Sequence, residues 1–407
     1  NYSYRLNWLK KSFSLCLISL LKPRLFYANI SCIVVKFLNK KFLFRAVSKM
    51  PCILQLFRKF HLFLIGIKII LRGAFTMKNK KLFFSLITAV SVFSAAAMPS
   101  FAEETSSFPV EIEHAYGTTS IEAQPERVVT LFDSNSDAVL ALGIAPVGVS
   151  AVGYGNVEEN GLLPWTNDAF EKLGVTPNVF QDTDGTDYEA VNAADPDLIL
   201  IPNSGVTEED YNRLSEIAPT VPFAKTAYAT TWEEEMTITA KALGMEEEGA
   251  QLITDTKDLI ADKLSEHPEL EGKTAAFCYI DPSNLSMVYI YMPLDPRAAF
   301  LEELGMKVPE TITSMAGTED FSVDLSAENI DLLNDVDVIV CYGDDSLIEQ
   351  LQADELMNTV PAVKNGAIAV ISSDSDLYMG TYATVLSIPA VIDEYLDLLG
   401  AAAQNVQ

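Results

Sequence analysis

The first quarter of the chain contains no acidic residue, and the remainder contains few basic ones. Residues 1–102 hold 17 of the 28 Lys and Arg and none of the 56 Asp and Glu, so residues 103–407 combine 11 basic with 56 acidic residues. At a net charge of −28 the chain lacks the basic surface that a nucleic-acid backbone requires. The composition excludes nucleic acid as a partner and separates residues 1–102 from the rest.

Histidine and cysteine are scarce after residue 102. His114 and His267 adjoin no Cys and form no H-E-x-x-H motif, and no glycine-rich phosphate-binding loop is present. We therefore expect no metal site and no catalytic residues. Cys278 and Cys341 each lie in an apolar run typical of a buried strand, which favours buried thiols, with a disulfide as the alternative.

Residues 77–102 have the layout of a secretory signal peptide. Three lysines precede an apolar core over 82–97, and Ser100-Phe101-Ala102 supplies small residues before Glu103. The alternative is a membrane anchor, for which a 16-residue apolar core is short. No Cys follows the core, so the sequence predicts an exported, periplasmic or extracytoplasmic protein without a lipid-anchor Cys at the cleavage site.

Residues 1–76 are difficult to assign to a folded domain. The chain begins with Asn1, Met77 is a natural start, and the segment carries scattered basic residues and no acid. We interpret it as upstream translated sequence or a disordered basic segment, with a basic membrane-surface extension as the alternative.

Residues 103–407 alternate short apolar strands with helical patterns. Continuous Val, Ile and Leu runs such as 197–201 and 336–341 favour parallel sheets covered on both faces. The alternation predicts an N-terminal α/β lobe at 103–231 and a C-terminal α/β lobe at 269–407. A connecting helical segment at 232–268 would lie between them.

A single long helix is predicted within that connecting segment. Over 245–267 apolar residues recur with the 3.6-residue helical period, acids occupy its start, and Pro268 follows its end. About 20 residues at 1.5 Å each span roughly 30 Å, the width of a lobe. The fold class is therefore α/β, with two Rossmann-like lobes joined by one backbone helix and a ligand cleft between them.

Short motifs occur in the order typical of one family. The chain resembles the ferric-siderophore and cobalamin-type periplasmic substrate-binding proteins of ABC importers. The resemblance spans nearly all of residues 103–407 and rests on the ordered set Pro125–Val129, Ala141–Gly143, Pro146–Val149, Tyr188–Val191, Asp195–Ile199, Phe300–Gly305, Ser326–Ile330 and Val360–Gly366.

The resemblance implies a binding protein rather than an enzyme. It implies capture of a small-molecule chelate without a resident cofactor, delivery to a membrane permease, and a monomer. In the family a Glu on each lobe pairs with Arg on the permease, and the matching residues are Glu189 and Glu328. A carboxylate suits the fork of a guanidinium. Without the resemblance, both residues would be interpreted as ordinary acidic residues on the protein surface.

Candidate ligand-binding residues come from loops that follow the predicted strands. Aromatic side chains with a polar tip suit an apolar chelate with a polar rim, although loop aromatics can equally be core or surface residues. The aromatic candidates are Tyr154, Trp165, Tyr228, Tyr291 and Tyr378.

Arginine is rare in residues 103–407, where only Arg127, Arg213 and Arg297 occur. Arg297, at the start of a second-lobe helix, is predicted to contact ligand oxygens, with a surface ion pair as the alternative. Arg213 is assigned to an exposed helix. Because an acidic protein with few arginines disfavours a highly anionic chelate, we expect an Fe(III)–siderophore complex of low negative charge, such as a hydroxamate.

The sequence thus predicts an extracytoplasmic receptor that captures a ferric siderophore and delivers it to an ABC-importer permease. Cobalamin or haem on the same scaffold, a two-lobe enzyme that uses the cleft, and a structural or adhesive surface protein are the alternatives.

Overall fold

The computed structural model describes residues 108–315, 317, 320–344 and 346–407. The chain divides into two units, Asn1–Glu104 and Thr105–Gln407, and all described residues belong to the second. The predicted signal peptide at 77–102 and the segment 1–76 lie outside the described residues.

Twelve strands occur in the described part of the chain. Their bounds are β1 Val110–His114, β2 Gly117–Ile121, β3 Val128–Thr130, β4 Gly148–Ser150, β5 Val179–Phe180, β6 Leu198–Leu200, β7 Thr220–Val221, β8 Ala275–Ile280, β9 Met287–Tyr291, β10 Ser322–Ser326, β11 Val338–Tyr342 and β12 Ile368–Ile371.

Twelve α-helices accompany these strands among the described residues. Their bounds are α1 Asn135–Ala141, α2 Pro164–Leu173, α3 Tyr188–Ala193, α4 Glu208–Ser215, α5 Trp232–Leu243, α6 Glu246–Leu264, α7 Pro296–Glu303, α8 Glu310–Thr313, α9 Leu347–Ala353, α10 Pro361–Asn365, α11 Leu377–Gly380 and α12 Ser387–Ala403. The sequence pattern predicts an ordinary helix from Ala327 to Leu333, but the segment Ala327–Asp335 is 3₁₀ and kinked at Asn329.

The first lobe is built on a five-stranded sheet in the order β5-β4-β3-β6-β7, and every neighbouring pair is parallel. All three residues of β3 and of β6 are buried, as expected where helices cover both faces of a parallel sheet. A separate hairpin of β1 and β2 accompanies this sheet, with Thr119 Oγ1 donating to the Thr220 carbonyl at 2.7 Å.

The second lobe has its own five-stranded sheet in the order β10-β9-β8-β11-β12. Strands β8, β11 and β12 are parallel, but β9 is antiparallel to both β8 and β10. The expectation of a purely parallel sheet is therefore wrong here. Only six residues, 281–286, join β8 to β9, which is too few for the crossover that parallel neighbours need.

The two sheets are separate, and the predicted class of two α/β lobes is confirmed. Helix α6 is a single 19-residue helix that packs against α5 on one side and α12 on the other. Helix α5 in turn contacts α1 of the first lobe, whereas α12 contacts β11 and β12 of the second. Strand β7 ends before residue 231, and β8 begins after residue 269. We therefore propose that the first lobe ends at residue 231 and that the second begins at residue 269.

A buried carboxylate connects the lobes. Asp137 on α1 is 0% exposed, and it accepts hydrogen bonds from Trp165 Nε1 at 2.8 Å, Thr166 Oγ1 at 2.7 Å and Thr384 Oγ1 at 2.7 Å. Thr384 precedes α12 of the second lobe, so this network fixes the two lobes at a shared point.

The thiols of Cys278 and Cys341 are free and buried, on adjacent strands β8 and β11, as predicted. Burial raises the pKa of Cys341 to about 12, which keeps the thiol protonated. Throughout the residues that the structure describes, no helix combines the length and apolar character needed to cross a membrane.

Candidate functional site

A cavity of about 910 Å³ opens at the carboxyl edge of the first sheet. This volume lies within the range of small-molecule pockets, and the carboxyl ends of parallel strands are where ligands bind in such folds. Segments after β3, β4, β5 and β6 line it, together with α3 and α4. The lining residues include Phe132, Asp133, Tyr154, Asp182, Asp184, Tyr188, Gly205, Asp210 and Arg213.

Backbone strain is concentrated at this cavity. Only Phe132, Tyr228 and Asp195 among the described non-glycine residues have clearly left-handed backbones, and the first two have φ of 64° and 59°. Phe132 lines the cavity, and the ring of Tyr228 packs directly on Gly205, which also lines it. Strained residues persist where surrounding structure holds them in place, and they are common at binding sites.

Tyr154 is half exposed at the boundary between the cavity and the second lobe. Its hydroxyl donates to Asp133 Oδ2, and its ring meets that of Tyr378 edge-on, with centroids 6.5 Å apart. Next to it, Asn156 Nδ2 donates to Asp376 Oδ1 at 2.8 Å. The structure thus brings Tyr154 and Tyr378, two predicted ligand residues from different lobes, together at one rim.

Arg297 lies behind this rim and is only 5% exposed. Its Nη2 and Nε donate to the two oxygens of Asp295 at 2.6 and 3.0 Å, and its Nη1 donates to the Tyr382 hydroxyl at 2.7 Å. The guanidinium carbon lies 3.8 Å from the ring centroid of Tyr291. The fork predicted to bind ligand oxygens is occupied by Asp295, so Arg297 supports the second-lobe tyrosines from behind.

Trp165, another predicted ligand residue, belongs to the core. It lies in the first turn of α2, is 7% exposed, and donates its indole N–H to Asp137. The structure does not bring it to the cavity, because its side chain is packed in the core and its indole N–H is bound to Asp137 of the same lobe. Tyr228, in contrast, is 54% exposed beside the cavity, and Tyr291 is half-buried under the rim.

Asp182, Asp184 and Arg213 line the first-lobe cavity, although the sequence pattern did not indicate this. Strand β5 has two residues, too few to be recognised, so the acid-rich segment 181–187 was not placed after a strand. Arg213 does lie on an exposed helix, as predicted, but it also lines the cavity, with its guanidinium 3.7 Å from the Tyr188 ring centroid. A strand assigned to Val179-Phe180 would have revealed both features.

Burial raises the pKa of Asp133 above its ordinary value, against the opposing hydrogen bond from Tyr154, and the nearby Asp182 carboxylate adds to the increase. Burial likewise raises the pKa of Asp182, which accepts a hydrogen bond from Ser150 Oγ at 2.6 Å. Two carboxyl groups therefore share one wall of the cavity at an electrostatic cost.

The predicted docking residues lie outside this cavity. Glu189 is exposed on α3, and Glu328 is exposed in the first turn of the 3₁₀ segment of the second lobe. Among the described residues neither side chain has an ion-pair partner. The same portion of the chain contains no group of three or more His, Cys, Asp or Glu placed to hold a metal ion.

Comparison with known proteins agrees with this architecture. The family described as periplasmic binding protein matches residues 128–375, more than half of the chain. The crystal structure of Streptococcus pneumoniae PiaA in complex with ferrichrome is similar, with a TM-score of 0.71 and 41% identity, over 73% of this chain and 100% of that one.

Two curated relatives come from Bacillus subtilis. The probable siderophore-binding lipoprotein YfiY is 28% identical over 71% of this chain and 89% of its own length. The Fe(3+)-citrate-binding protein YfmC is 26% identical over 62% of this chain and 75% of its own length. With its two α/β lobes, its carboxyl-edge cavity and a match over most of both lobes, the chain belongs to the periplasmic binding protein family.

Proposed function

We propose that the protein captures a ferric siderophore outside the cytoplasm and delivers it to the permease of an ABC importer. The cavity at the carboxyl edge of the first sheet, continued by Tyr154 and Tyr378 at the rim, carries this proposal. The relatives add support, since one is named as siderophore-binding and a similar structure holds ferrichrome. The protein would act without catalysis or a resident cofactor, because iron arrives and leaves within its chelate.

Four exposed or half-buried tyrosines form the proposed ligand surface. Tyr154 and Tyr228 border the cavity on the first lobe, and Tyr291 and Tyr378 belong to the second. Their flat rings suit the apolar body of a chelate, and their hydroxyl groups suit its polar rim. Arg297 would act from behind by holding Tyr291 and Tyr382 in place.

A chelate of low negative charge fits this site better than a highly anionic one. Arg297 is bound to Asp295, and Arg127 lies at 3.8 Å from Asp195 and donates to the Asp195 carbonyl. Arg213 is the single cationic residue among the described residues that line the cavity. Few cations are therefore free to compensate a trianionic complex, and we propose a hydroxamate siderophore over a tris-catecholate.

Thermal unfolding of the purified protein in the presence of candidate ligands tests the proposal. We expect a ferric hydroxamate to raise the melting temperature, because a ligand at about a hundredfold excess over Kd adds about 2.7 kcal/mol to the free energy of unfolding. Haem and cobalamin should cause no shift. If no ferric siderophore raises the melting temperature, the proposed function is wrong.

A pair of tyrosine variants locates the binding surface. Tyr378→Ala should weaken the affinity for the hydroxamate complex about tenfold, because an aromatic contact of this kind contributes on the order of 1 kcal/mol beyond its burial. Tyr279→Ala is the matched control, since Tyr279 is 49% exposed on the same lobe, whereas it is Tyr378 whose ring contacts Tyr154 at the cavity rim. Equal affinities of the two variants would contradict the placement.

Glu189 and Glu328 would make the contact with the permease, one from each lobe. Both are exposed and unpaired among the described residues, as a carboxylate awaiting a guanidinium should be. Transport would then require both lobes to meet the permease at once.

A further inference from the structure

Negatively charged side chains outnumber positively charged ones in the lining of the first-lobe cavity. Four carboxylates line it, from Asp133, Asp182, Asp184 and Asp210, against one guanidinium, from Arg213, and no lysine is among the described lining residues. A bound molecule would therefore meet an excess of negative charge. In a partly water-excluded cavity such an excess has a larger effect than on open surface.

The positive charge of Arg213 is already balanced by the nearby carboxylate of Asp210. Arg213 stacks on the ring of Tyr188, and the Tyr188 hydroxyl donates to Asp210 Oδ1 at 2.5 Å. The hydrogen bonds from Tyr188 and Thr207 lower the pKa of Asp210, and the nearby charge of Arg213 lowers it further. Arg213, Tyr188 and Asp210 thus form one electrically balanced side of the cavity.

The opposite side has no such balance. Asp133 and Asp182 accept hydrogen bonds from the neutral hydroxyl groups of Tyr154 and Ser150, and within the described residues neither forms an ion pair. Each carboxyl is partly buried, and its pKa is raised by that burial and by a neighbouring carboxylate, Asp182 for Asp133 and Asp187 for Asp182. A cation placed here would relieve the repulsion.

Asp133 and Asp182 form one wall of the cavity, and the aromatic residue beside them is also suited to bind a cation. Tyr154, which binds Asp133, presents a ring to the cavity rim, and aromatic faces attract ammonium groups within about 6 Å. Carboxylate oxygens and tyrosine faces together form the usual surroundings of a bound primary ammonium group.

We propose that the wall formed by Asp133 and Asp182 recognises a positively charged group on the chelate, so that the protein prefers cationic siderophore complexes to otherwise identical neutral or anionic ones. This inference rests on the proposed function and goes further, because it assigns charge discrimination to two residues. The recognised chemistry is a protonated amine on the periphery of the chelate, remote from the iron.

A series of ligands that differ only in peripheral charge tests this. Ferrioxamine B ends in a primary amine, its N-acetyl derivative is uncharged at that end, and its N-succinyl derivative carries a carboxylate. All three hold iron identically. Titrations followed by intrinsic fluorescence at low ionic strength should give the order amine, acetyl, succinyl, with about fivefold to tenfold between successive members.

Variants then assign the effect to the wall. Asp133→Asn and Asp182→Asn, tested separately in case one fails to fold, should each narrow the spread of affinities among the three complexes. Asp168→Asn is the matched control, because Asp168 is exposed on α2 and does not line the cavity. It should keep the spread of the original protein.

The outcomes separate the two proposals. Equal affinities for the three complexes, a reversed order, or binding of none of them overturns the charge inference. If the wider siderophore panel still raises the melting temperature, the proposed function stands in each of those cases. An unchanged spread in both wall variants overturns the assignment to Asp133 and Asp182.

Discussion

Two carboxyl groups lie close together in the interior of the protein. Burial raises the pKa of Asp137 to about 6, although three hydrogen bonds oppose the shift. Burial, and then the nearby charge of Asp137, raise the pKa of Glu235 well above its ordinary value. Glu235 is 2% exposed, and its Oε1 has no hydrogen-bond partner among the described residues. The folded protein therefore retains protons that the unfolded chain releases.

Stability should consequently fall as the pH rises. A carboxyl whose folded-state pKa exceeds its unfolded value contributes fully below the unfolded pKa and loses that contribution as the pH rises through the folded pKa. For Asp137 this window runs from an unfolded value of 3.8 to about 6, and for Glu235 it extends well above 4.5.

We expect Glu235→Gln to raise the free energy of unfolding at pH 7.5 by about 1–3 kcal/mol and to flatten the pH dependence, because a neutral amide neither buries a charge nor takes up a proton on folding. Denaturant unfolding at pH 5 and pH 7.5 measures both effects. Glu247→Gln, at an exposed position of α6, is the control. A variant with the slope of the original protein would contradict this account of Glu235.

At the scale of single residues, the sequence indicates loop positions but not the side-chain pairings of the folded protein. Loop position predicts ligand contact for Tyr154, Tyr228 and Tyr378, and in the structure the first two are exposed and the third is half-buried. It gave no sign that Asp295 and Asp137 would bind Arg297 and Trp165, because such pairings depend on contacts that a sequence does not specify. Whether the tyrosines contact a ligand stays a prediction.

Helices and strands could be predicted where nearby residues mark their ends. The sequence alone predicts the helix Tyr188–Ala193, which Asp195-Pro196 follows, and the strand Met287–Tyr291, and the structure has both with these bounds. The direction of β9 was not predictable, since an apolar run does not indicate whether its neighbour is parallel. Helix α2 and the β1–β2 hairpin were not proposed, although the alternating burial along β1 follows its alternating sequence.

The close packing of α5 on α6 depends on Gly249. Gly249 is buried on α6, and a Cβ added there would overlap the Cβ of Ala240 on α5. It would also approach Met236, which lies on α5 as well. Gly249→Ala should destabilise the protein by about 1–3 kcal/mol, because overpacking outweighs the roughly 1 kcal/mol that Ala gains over Gly in a helix.

A double variant isolates this contact. Adding Ala240→Gly removes the overlapping methyl group, so the destabilisation from Gly249→Ala should be smaller in that background, as measured by a thermodynamic cycle of unfolding free energies. Additive effects would show that the two helices are not in the contact described.

At the scale of the whole molecule, the proposed docking function requires one acid on each lobe. Replacing Glu189 and Glu328 by Lys should reduce siderophore-dependent iron uptake by cells at least about tenfold, because like charges then face the permease arginines. Chelate affinity of the purified variant should be unchanged, since neither residue lines the cavity.

The control replaces two other exposed acids, Glu171 of the first lobe and Glu349 of the second, by Lys. It applies the same change in net charge and should leave uptake intact. Loss of uptake in both double variants, or in neither, would contradict specific docking through Glu189 and Glu328.

The global arrangement was the most predictable feature. Strand and helix alternation, together with one periodic stretch that became α6, sufficed for two lobes and a joining helix. The acidic wall was not predictable, because Asp133 and Asp182 are 49 positions apart and meet only when β3, β4 and β5 lie side by side.

Gly155 and Met379 are in such close contact that a methyl group on Gly155 would lie 2.7 Å from Met379 Cγ. A chelate that extends from the first-lobe cavity to the second-lobe tyrosines, as proposed, would have to separate Gly155 from helix α11 both when it enters and when it leaves. If the protein binds such a chelate as proposed, opening of this contact would be a step shared by uptake and release, so the rates of both would depend on it.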